Sequence, residues 1–350
     1  MRTFLKFAVV AAVATVAIGA RPTHAQTDAA ADFYKEKHID LIISSTVGGG
    51  NDISARLLAR YFTNNMTGRP TLIPRNVPGA GGVTAANHVY NISPKDGTAI
   101  GMVQNSAVFD PLYGNDKALY DGSKFNWLGS PGRETAVLIV WHAVPVNSFA
   151  EAQKRGLVLG VSGGLNATPA FYSRVLAHVF DMNIKMIAGY PGQAEAFLAL
   201  ERGENEGYPS AFWSSLKLVK PDWIAEKKIK MLLQIGDKPH PELAGVPSAL
   251  DLVKNKPDDV RKLMELAVAP LAVGRPLLAP PNVPSERISA LRGAIAATFK
   301  DPGYLAECDR LKLECSDPTS GEELAKIVAD SYYAPKLLIE KLRALNNEQR

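Results

Sequence analysis

The chain contains few cysteines and no concentrated charge of either sign. Its 350 residues include only 2 Cys, which excludes a small fold built on disulfides and a Cys-rich zinc or iron–sulfur protein. It has no Lys/Arg tract and no alternation of basic with aromatic residues, so neither nucleic acid nor a membrane surface is predicted as a partner. The remaining composition, 46% hydrophobic and 21% charged, is typical of a globular protein long enough for two domains.

The first 25 residues have the pattern of a secretory signal peptide. Arg2 and Lys6 form a basic start, residues 7–20 are almost continuously apolar, and Thr23-His24-Ala25 is a small-x-small cleavage site before Gln26. The apolar run is too short for a stable membrane span, so an uncleaved anchor is the less favoured alternative. We therefore expect an exported mature protein that begins at Gln26.

The mature chain is nearly neutral. Loss of Arg2, Lys6 and Arg21 with the leader leaves 36 basic against 35 acidic residues, a net charge of +1. An anionic ligand must therefore be bound by local groups, because the whole protein supplies little attractive field.

One unit recurs four times: a short apolar segment, a Gly-rich loop and an amphipathic helix pattern. Such alternation predicts an α/β fold with βαβ units and mostly parallel sheets. The apolar run 136–141, after the turn-rich segment 112–127, is expected to cross between two lobes. The four strands and loops are 39–44 with 47–52, 71–77 with 78–82, 157–161 with 162–168, and 184–188 with 189–192.

These four loops suggest an anion site. A Gly-rich loop that leads into a helix exposes unpaired backbone N–H groups at the positive end of the helix dipole. Any single loop is equally explained by turn chemistry, but four at the carboxyl ends of strands can converge on a cleft. The Gly-Lys-Ser/Thr of a phosphate loop is absent, and Gly79-Ala80-Gly81-Gly82 lacks the dinucleotide spacing. Small carboxylates are therefore the favoured ligands.

A catalytic alternative rests on Ser162. Gly160-Val161-Ser162-Gly163-Gly164 matches the Gly-x-Ser-x-Gly nucleophile elbow, which would make the protein an exported serine hydrolase. The helix does not begin directly after Ser162, and the later histidines, His178 and His240, are better explained as a packed helix residue and a turn residue. The dispersed histidines also lack a metal-binding spacing, so neither an enzyme nor a metal or cofactor site is predicted.

The C-terminal part departs from the repeated unit. Residues 263–273 resemble a strand, 285–299 a helix that begins at Ser285, and 320–345 a terminal helix. Cys308 falls on a helical stretch and Cys315 closes the short apolar run 311–314. A disulfide between them and two free thiols are both compatible with this spacing, since spacing does not establish geometry.

Several motifs resemble one known family. The first loop and helix, Val47-Gly48-Gly49-Gly50-Asn51-Asp52-Ile53-Ser54-Ala55-Arg56, and the second, Asn76-Val77-Pro78-Gly79-Ala80-Gly81-Gly82, are similar to its ligand loops. The motifs at 93–98, 192–196, 201–204 and 246–248 follow in the expected order. The family is the substrate-binding proteins of tripartite tricarboxylate transporters, also called Bug receptors, and the resemblance spans about residues 33–345.

The resemblance implies a type 2 periplasmic binding-protein fold, with two α/β lobes that close on a hinge around an organic carboxylate. Lobe 1 would be residues 26–136 and 246–350, and lobe 2 residues 137–245. The implied partners are a large and a small integral membrane subunit, with a monomeric receptor in the periplasm. The implied ligand contacts are Thr46, Gly48, Gly49, Gly50, Asn51, Asp52, Gly79, Ala80, Gly81, Gly82 and Ser106 in lobe 1, and Ser162, Gly163, Ala167, Thr168 and Tyr190 in lobe 2.

Two positions keep alternative interpretations. Asp52 is equally explained as a helix N-cap or as a group that fixes the loop or accepts from the ligand. Phe212 and Trp213 lie in a loop more aromatic than is usual in the family, so they are candidates for the far wall of the cleft or for hinge-side core. Beside transport, a sensor subunit of a signalling system is a further possible role, and the sequence does not identify the carboxylate.

Overall fold

The computed structural model describes residues 31–162, 165 and 167–347. The predicted signal peptide and Gly163 lie outside these residues. The strands are β1 His38–Ile43, β2 Thr71–Asn76, β3 Ala99–Met102, β4 Asn126–Ser130, β5 Ala136–Trp141, β6 Leu157–Ser162, β7 Ile184–Tyr190, β8 Gly207–Phe212, β9 Ile229–Ile235, β10 Leu277–Ala279 and β11 Thr319–Ser320.

The helices are α1 Gly50–Asn65, α2 Val83–Asn91, α3 Phe149–Arg155, α4 Thr168–Phe180, α5 Gln193–Glu201, α6 Trp213–Val219, α7 Pro221–Ala225, α8 Ala249–Val253, α9 Asp258–Val273, α10 Ser285–Thr298, α11 Pro302–Arg310, α12 Gly321–Tyr332 and α13 Lys336–Asn347. Among the described residues, no helix combines the length and the apolar character needed to cross a membrane.

The strands form two mixed sheets. The first has the order β11-β4-β10-β3-β1-β2, and the second β7-β6-β8-β5-β9. Strand β1 pairs in parallel with β2 and β3, and β6 pairs in parallel with β7 and β8. The remaining pairs are antiparallel. The α/β fold with two sheets is confirmed, but the expectation of mostly parallel sheets is wrong, because β10 and β11 in the first sheet and β5 in the second run antiparallel to their neighbours.

Both faces of each sheet are buried, which explains the continuous apolar strands. On β1, Ile39, Leu41 and Ile43 pack in one hydrophobic cluster, while Ile42 on the opposite face belongs to another. On β5, Leu138 shares that second cluster with Ile42, whereas Ile139 faces a third. One cluster is thus shared by the two sheets, and it includes residues of α4 and α9.

A short segment joins the two sheets. Strand β4 of the first sheet leads directly into β5 of the second through residues 131–135. Within it, Glu134 is 4% exposed and contacts both Arg275, at 3.0 Å, and the hydroxyl of Ser214, at 2.9 Å. Burial raises the pKa of the Glu134 carboxyl, and the Arg275 guanidinium and Ser214 oppose that effect. The Glu134 carboxyl therefore connects Arg275, which lies just before β10, to Ser214 in the first turn of α6.

Several local predictions are corrected by the structure. Residues 263–273 form the end of helix α9 and contain Pro270, so the predicted strand is wrong. The terminal helix is interrupted before Pro335, because the proline ring cannot continue α12. On α5, the buried residues are Ala196, Phe197, Ala199 and Leu200.

The disulfide is present. Cys308 and Cys315 are bonded, which decides between the two alternatives that the sequence left open. Both residues are buried in the cluster between α1, α10 and α11. Residues 311–314 form a turn and no strand, so the bridge ties the end of α11 to the loop that follows it.

Candidate functional site

A cavity of about 560 Å³ lies between segments of the two sheets, a volume within the range of small-molecule sites. From the first sheet's side come the loop after β2, the segment after β3 and part of α9. From the second sheet's side come the beginning of α4 and the end of β8. The lining residues are Ser44, Gly79, Ala80, Gly81, Gly82, Gln104, Asn105, Ser106, Asp110, Tyr113, Asn115, Ala167, Thr168, Phe171, Tyr172, Phe212, Pro270, Leu271 and Asn346.

The loop Gly79–Gly82 forms one wall because its backbone comes close to the next segment. Gly82 has φ of +105°, and a Cβ there would lie 2.8 Å from the Cβ of Gln104. Helix α2 begins directly afterwards at Val83, so the first amides of this turn have no acceptor within the helix. The Gly82 amide already donates to the Gly79 carbonyl at 2.9 Å, and the Val83 amide donates to the Ala80 carbonyl, so anion binding at this turn stays a prediction that rests on its other amides.

The opposite wall begins at helix α4. Ala167 is its N-cap, Pro169 lies in its first turn, and Thr168 is exposed toward the cavity. One turn later Phe171 and Tyr172 also line the cavity, and Phe212 joins them from the end of β8. The Tyr172 hydroxyl donates to the Ala267 carbonyl of α9 at 3.0 Å, which holds α4 against the first sheet's side.

Asn51 lies one layer behind the cavity. Its side-chain amide donates to the Ser44 hydroxyl and to the Gln104 side-chain oxygen, both at 3.3 Å. Ser44 and Gln104 line the cavity, whereas Asn51 does not. Asn51 therefore positions two lining residues.

Asp52 organises the first loop. Its carboxylate accepts from the Gly48 amide at 2.9 Å, from Asn76 at 2.8 Å and from Arg56 at 2.8 Å, and the residue is 2% exposed. Burial raises the pKa of this carboxyl, but the hydrogen bonds from Asn76, Gly48 and Arg56 outweigh it and leave the pKa below its usual value. Of the two interpretations, the loop-fixing role matches these contacts, and Asp52 lies outside the cavity lining.

Ser162 has a phenol as its partner. Its hydroxyl is 2.7 Å from the Tyr208 hydroxyl, and Ser162 is 8% exposed at the end of β6. Burial raises the pKa of Tyr208, and the bond to Ser162 opposes it. Helix α4 begins only at Thr168, so the strand-to-helix turn of a nucleophile elbow is not formed here.

The other predicted contacts also lie outside the lining. Thr46 and Gly48 are exposed on the first loop, with Gly49 and Gly50 beside them. Tyr190 is half-buried against the core of the second sheet, and Trp213 is buried in that core. The Trp213 indole donates to Glu242 at 2.6 Å, which agrees with the core alternative. The structure thus brings together Gly79, Ala80, Gly81, Gly82, Ser106, Ala167, Thr168 and Phe212.

Several lining residues were missed by the sequence analysis. Asp110, Tyr113 and Asn115 follow the turn Ser106–Phe109, and only the last two fall in the segment 112–127 that was interpreted as turn-rich. Leu271 and Asn346 come from α9 and α13, far away in the chain. No local pattern marks the last two, since only packing of α9 and α13 against α4 brings them to the cavity. Among the described residues, no cluster of three or more His, Cys, Asp or Glu is arranged to hold a metal ion.

Comparison with known proteins identifies the fold. No family model matches the chain. A TctC solute-binding protein from Polaromonas has a similar structure, with a TM-score of 0.69 at 20% identity over 88% of this chain and 99% of that chain. The chain has the fold of the TctC and Bug solute-binding proteins. The resemblance predicted from the loop motifs is therefore confirmed.

Two further relatives extend the comparison. MatC from Rhodopseudomonas palustris, solved with bound malate, gives a TM-score of 0.60 at 16% identity over 89% of this chain and 99% of that chain. The UPF0065 protein in the gbd 5′ region of Cupriavidus necator is 24% identical over 344 residues, 95% of each chain. A solute-binding fold thus accounts for nearly the whole length.

Proposed function

We propose that this protein is an extracytoplasmic receptor that captures a small organic carboxylate in the cavity between its two lobes. The observation that carries the proposal is the composition of the cavity, which has the Gly79–Gly82 turn on one wall and the beginning of α4 on the other. Two sets of backbone amides can face one anion there, with Ser106 and Thr168 as additional donors. MatC, which shares the fold, holds malate.

In this proposal, residues 26–136 and 246–350 form lobe 1 and residues 137–245 form lobe 2, with a hinge at residues 131–135. The sheet membership of the strands supports this division. Closure around the ligand would create the surface recognised by a large and a small membrane subunit of a tripartite tricarboxylate-type transporter. The receptor is proposed to be a periplasmic monomer, released by cleavage near Ala25-Gln26.

The contact set is revised accordingly. We assign the direct ligand contacts to the Gly79–Gly82 turn, Ser106, Thr168 and Phe212, and a positioning role to Asn51 and Asp52. Catalysis is not part of this proposal, because the recorded partner of the Ser162 hydroxyl is the hydroxyl of Tyr208. A hydrolase would lose ester turnover in Ser162→Ala, whereas a receptor would keep or only weaken its binding.

The test is thermal unfolding of refolded, ligand-free mature protein with a panel of mono-, di- and tricarboxylates. A ligand at 100 times its Kd should stabilise the fold by about 2.7 kcal/mol and raise the Tm by several degrees. Thr168→Trp, which fills the cavity entrance, should abolish the shift, whereas Thr67→Trp at an exposed turn should preserve it. An absence of any shift across the panel would contradict the proposal.

A further inference from the structure

The charge of the cavity has one sign. Asp110 is the single ionisable acid or base other than tyrosine among the described lining residues, and Lys, Arg and His are absent from that set. A carboxylate ligand must therefore be held by neutral donors near the Gly79–Gly82 turn. The same ligand meets the Asp110 carboxyl group elsewhere in the cavity. That carboxyl limits which chemical groups the other end of the ligand can carry.

Asp110 lines the same cavity as the Gly79–Gly82 turn, but it comes from a different segment of the chain. It follows the 3-10 turn Ser106–Phe109, and four residues at a rise of about 2 Å each separate it from Ser106 by roughly 8 Å along the turn. Its amide donates to the Ala107 carbonyl at 3.2 Å. Burial raises the pKa of the Asp110 carboxyl to about 6, with a hydrogen bond from Asn115 opposing the effect. At neutral pH the group is largely ionised.

Tyr113 supplies a second polar group at the same place. The residue lines the cavity and is 8% exposed, yet its hydroxyl has no hydrogen-bond partner among the described residues. Its ring lies 5.6 Å from that of Phe171. A buried phenol hydroxyl without a partner loses free energy, and a polar ligand atom would restore the missing bond.

Part of the cavity lining is apolar. Phe171, Tyr172 and Phe212 face the cavity from the second sheet's side, and Pro270 and Leu271 face it from α9. These side chains suit a hydrocarbon or aromatic body, and they offer no charge to a second anionic group.

Resting on the proposed function, we propose that the ligand carries one carboxylate, an apolar body and a hydrogen-bond donor at its far end. The carboxylate binds at the Gly79–Gly82 turn, and Asp110 and Tyr113 receive the donor, which is a hydroxyl or an ammonium group. A second carboxylate at that end is disfavoured, because it would face the Asp110 carboxylate in a partly dry site.

The test compares acids of equal length that differ only at the far end. Calorimetry at pH 7.5 would measure 4-hydroxybutyrate, 4-aminobutyrate, succinate and butyrate, and an aromatic series of 4-(hydroxymethyl)benzoate, 4-(aminomethyl)benzoate, terephthalate and 4-methylbenzoate. We expect at least one donor-bearing acid to bind 10-fold or more tightly than the dicarboxylate of its series. Comparison of the hydroxyl acids with the ammonium acids shows which of the two groups is the preferred donor.

Variants then assign the selectivity to its residue. Asp110→Asn should reduce the preference over the dicarboxylate by 10-fold or more, and Tyr113→Phe should weaken the donor-bearing acid about 3-fold without changing the dicarboxylate. Asp116→Asn, the same change at an exposed position of the same segment, should leave the preference unaltered. Circular dichroism checks each fold, and the native selectivity and Tyr113→Phe remain decisive if Asp110→Asn does not fold.

The outcomes separate this inference from the proposed function. If, in each series, neither donor-bearing acid binds the native protein 10-fold or more tightly than the dicarboxylate, the inference is overturned and the receptor is kept. An Asp110→Asn variant that folds and retains the native preference would also overturn it. Binding of no acid in either series would overturn the proposed function, and this inference with it.

Discussion

The side-chain amide of Asn76 donates to the Asp52 carboxylate at 2.8 Å. The bond joins the end of strand β2 to the first turn of helix α1, and Asn76 also donates to the Ser45 carbonyl at 2.9 Å. Two Gly-rich loops that are separated in the chain are thereby held by one buried carboxylate. The geometry of the Gly79–Gly82 turn, three residues after Asn76, depends on this connection.

Asp52→Ala should destabilise the fold as well as weaken ligand binding. The Gly48 amide, the Asn76 amide and the Arg56 guanidinium lose their shared acceptor, and a hydrogen bond to a charged group contributes about 1.5–3 kcal/mol. Urea unfolding should show a loss of about 2 kcal/mol. Asp40→Ala, which removes the exposed pair with Arg75, is the control and should cost less than about 1 kcal/mol. A fully stable Asp52→Ala protein would contradict the loop-fixing role.

Substitutions at Phe212 and Trp213 should have different effects, the first on ligand affinity and the second on the stability of the fold. Phe212 lines the cavity and Trp213 does not, so Phe212→Ala should weaken the affinity for a bound carboxylate by about 10-fold, or about 1.4 kcal/mol. Trp213→Phe should change the affinity less than twofold but lower stability by about 1–2 kcal/mol, because the Glu242 carboxylate loses the indole N–H. Titration calorimetry and urea unfolding of both variants check this. If Trp213→Phe weakened ligand binding and Phe212→Ala only lowered stability, Trp213 would be the aromatic side chain that lines the cavity.

Removal of the Cys308–Cys315 bridge should lower stability without changing ligand selectivity. The chain-entropy model gives about 2.5 kcal/mol for a loop of this length, since the bonded residues are 7 apart in sequence. The double variant Cys308→Ser, Cys315→Ser should therefore unfold at a lower urea concentration. Dithiothreitol should shift the native protein to the same midpoint and leave the double variant unchanged. A reductant effect on the double variant would point to a different cause.

Asp110 should make stability depend on pH. Burial raises the pKa of its carboxyl to about 6, above the unfolded value of about 3.9. For a raised carboxyl pKa, the stabilising contribution is complete below pH 4 and is lost as the pH rises through 6. The stability of the native protein relative to Asp110→Asn should fall by on the order of 2–3 kcal/mol over that range, measured by urea unfolding at each pH.

The groups around Asp110 do not obscure this measurement. Tyr113, Tyr120 and Tyr332 interact with its charge, and burial raises the pKa of each of them. They therefore stay neutral between pH 4 and 8. The guanidinium of Arg343 donates to the Leu112 carbonyl nearby. Parallel stability curves for native protein and Asp110→Asn would show that the Asp110 pKa is not raised.

The sequence predicted the parts of this site that depend on local chemistry. The Gly79–Gly82 turn was recognised because positive φ and a close backbone approach require glycine there. The beginning of α4 was recognised because Pro169 is favoured in a first helical turn. The ligand contact implied for Asn51 and the open role of Asp52 stay predictions, and the structure places both residues outside the cavity lining, since a motif does not show which way a side chain faces.

Helix α9 shows where pattern reasoning stops. Residues 263–273 are apolar on nearly every side, and Pro270 argued against a helix, yet the segment is helical because α4, α8, α12 and α13 surround it. A helix buried all round has no amphipathic period, so its sequence cannot be distinguished from a buried strand by spacing.

The sequence by itself determined the βαβ units, the Gly-rich turns and the resemblance to solute-binding proteins, because each depends on residues close together in the chain. Only the tertiary structure decided that Asp110, Tyr113, Leu271 and Asn346 share a cavity with those turns. Their proximity results from the packing of α4 against α9 and α13, which buries apolar surface from segments about 100 or more residues apart in the chain. The selectivity of the site is therefore a property of the fold rather than of any one motif.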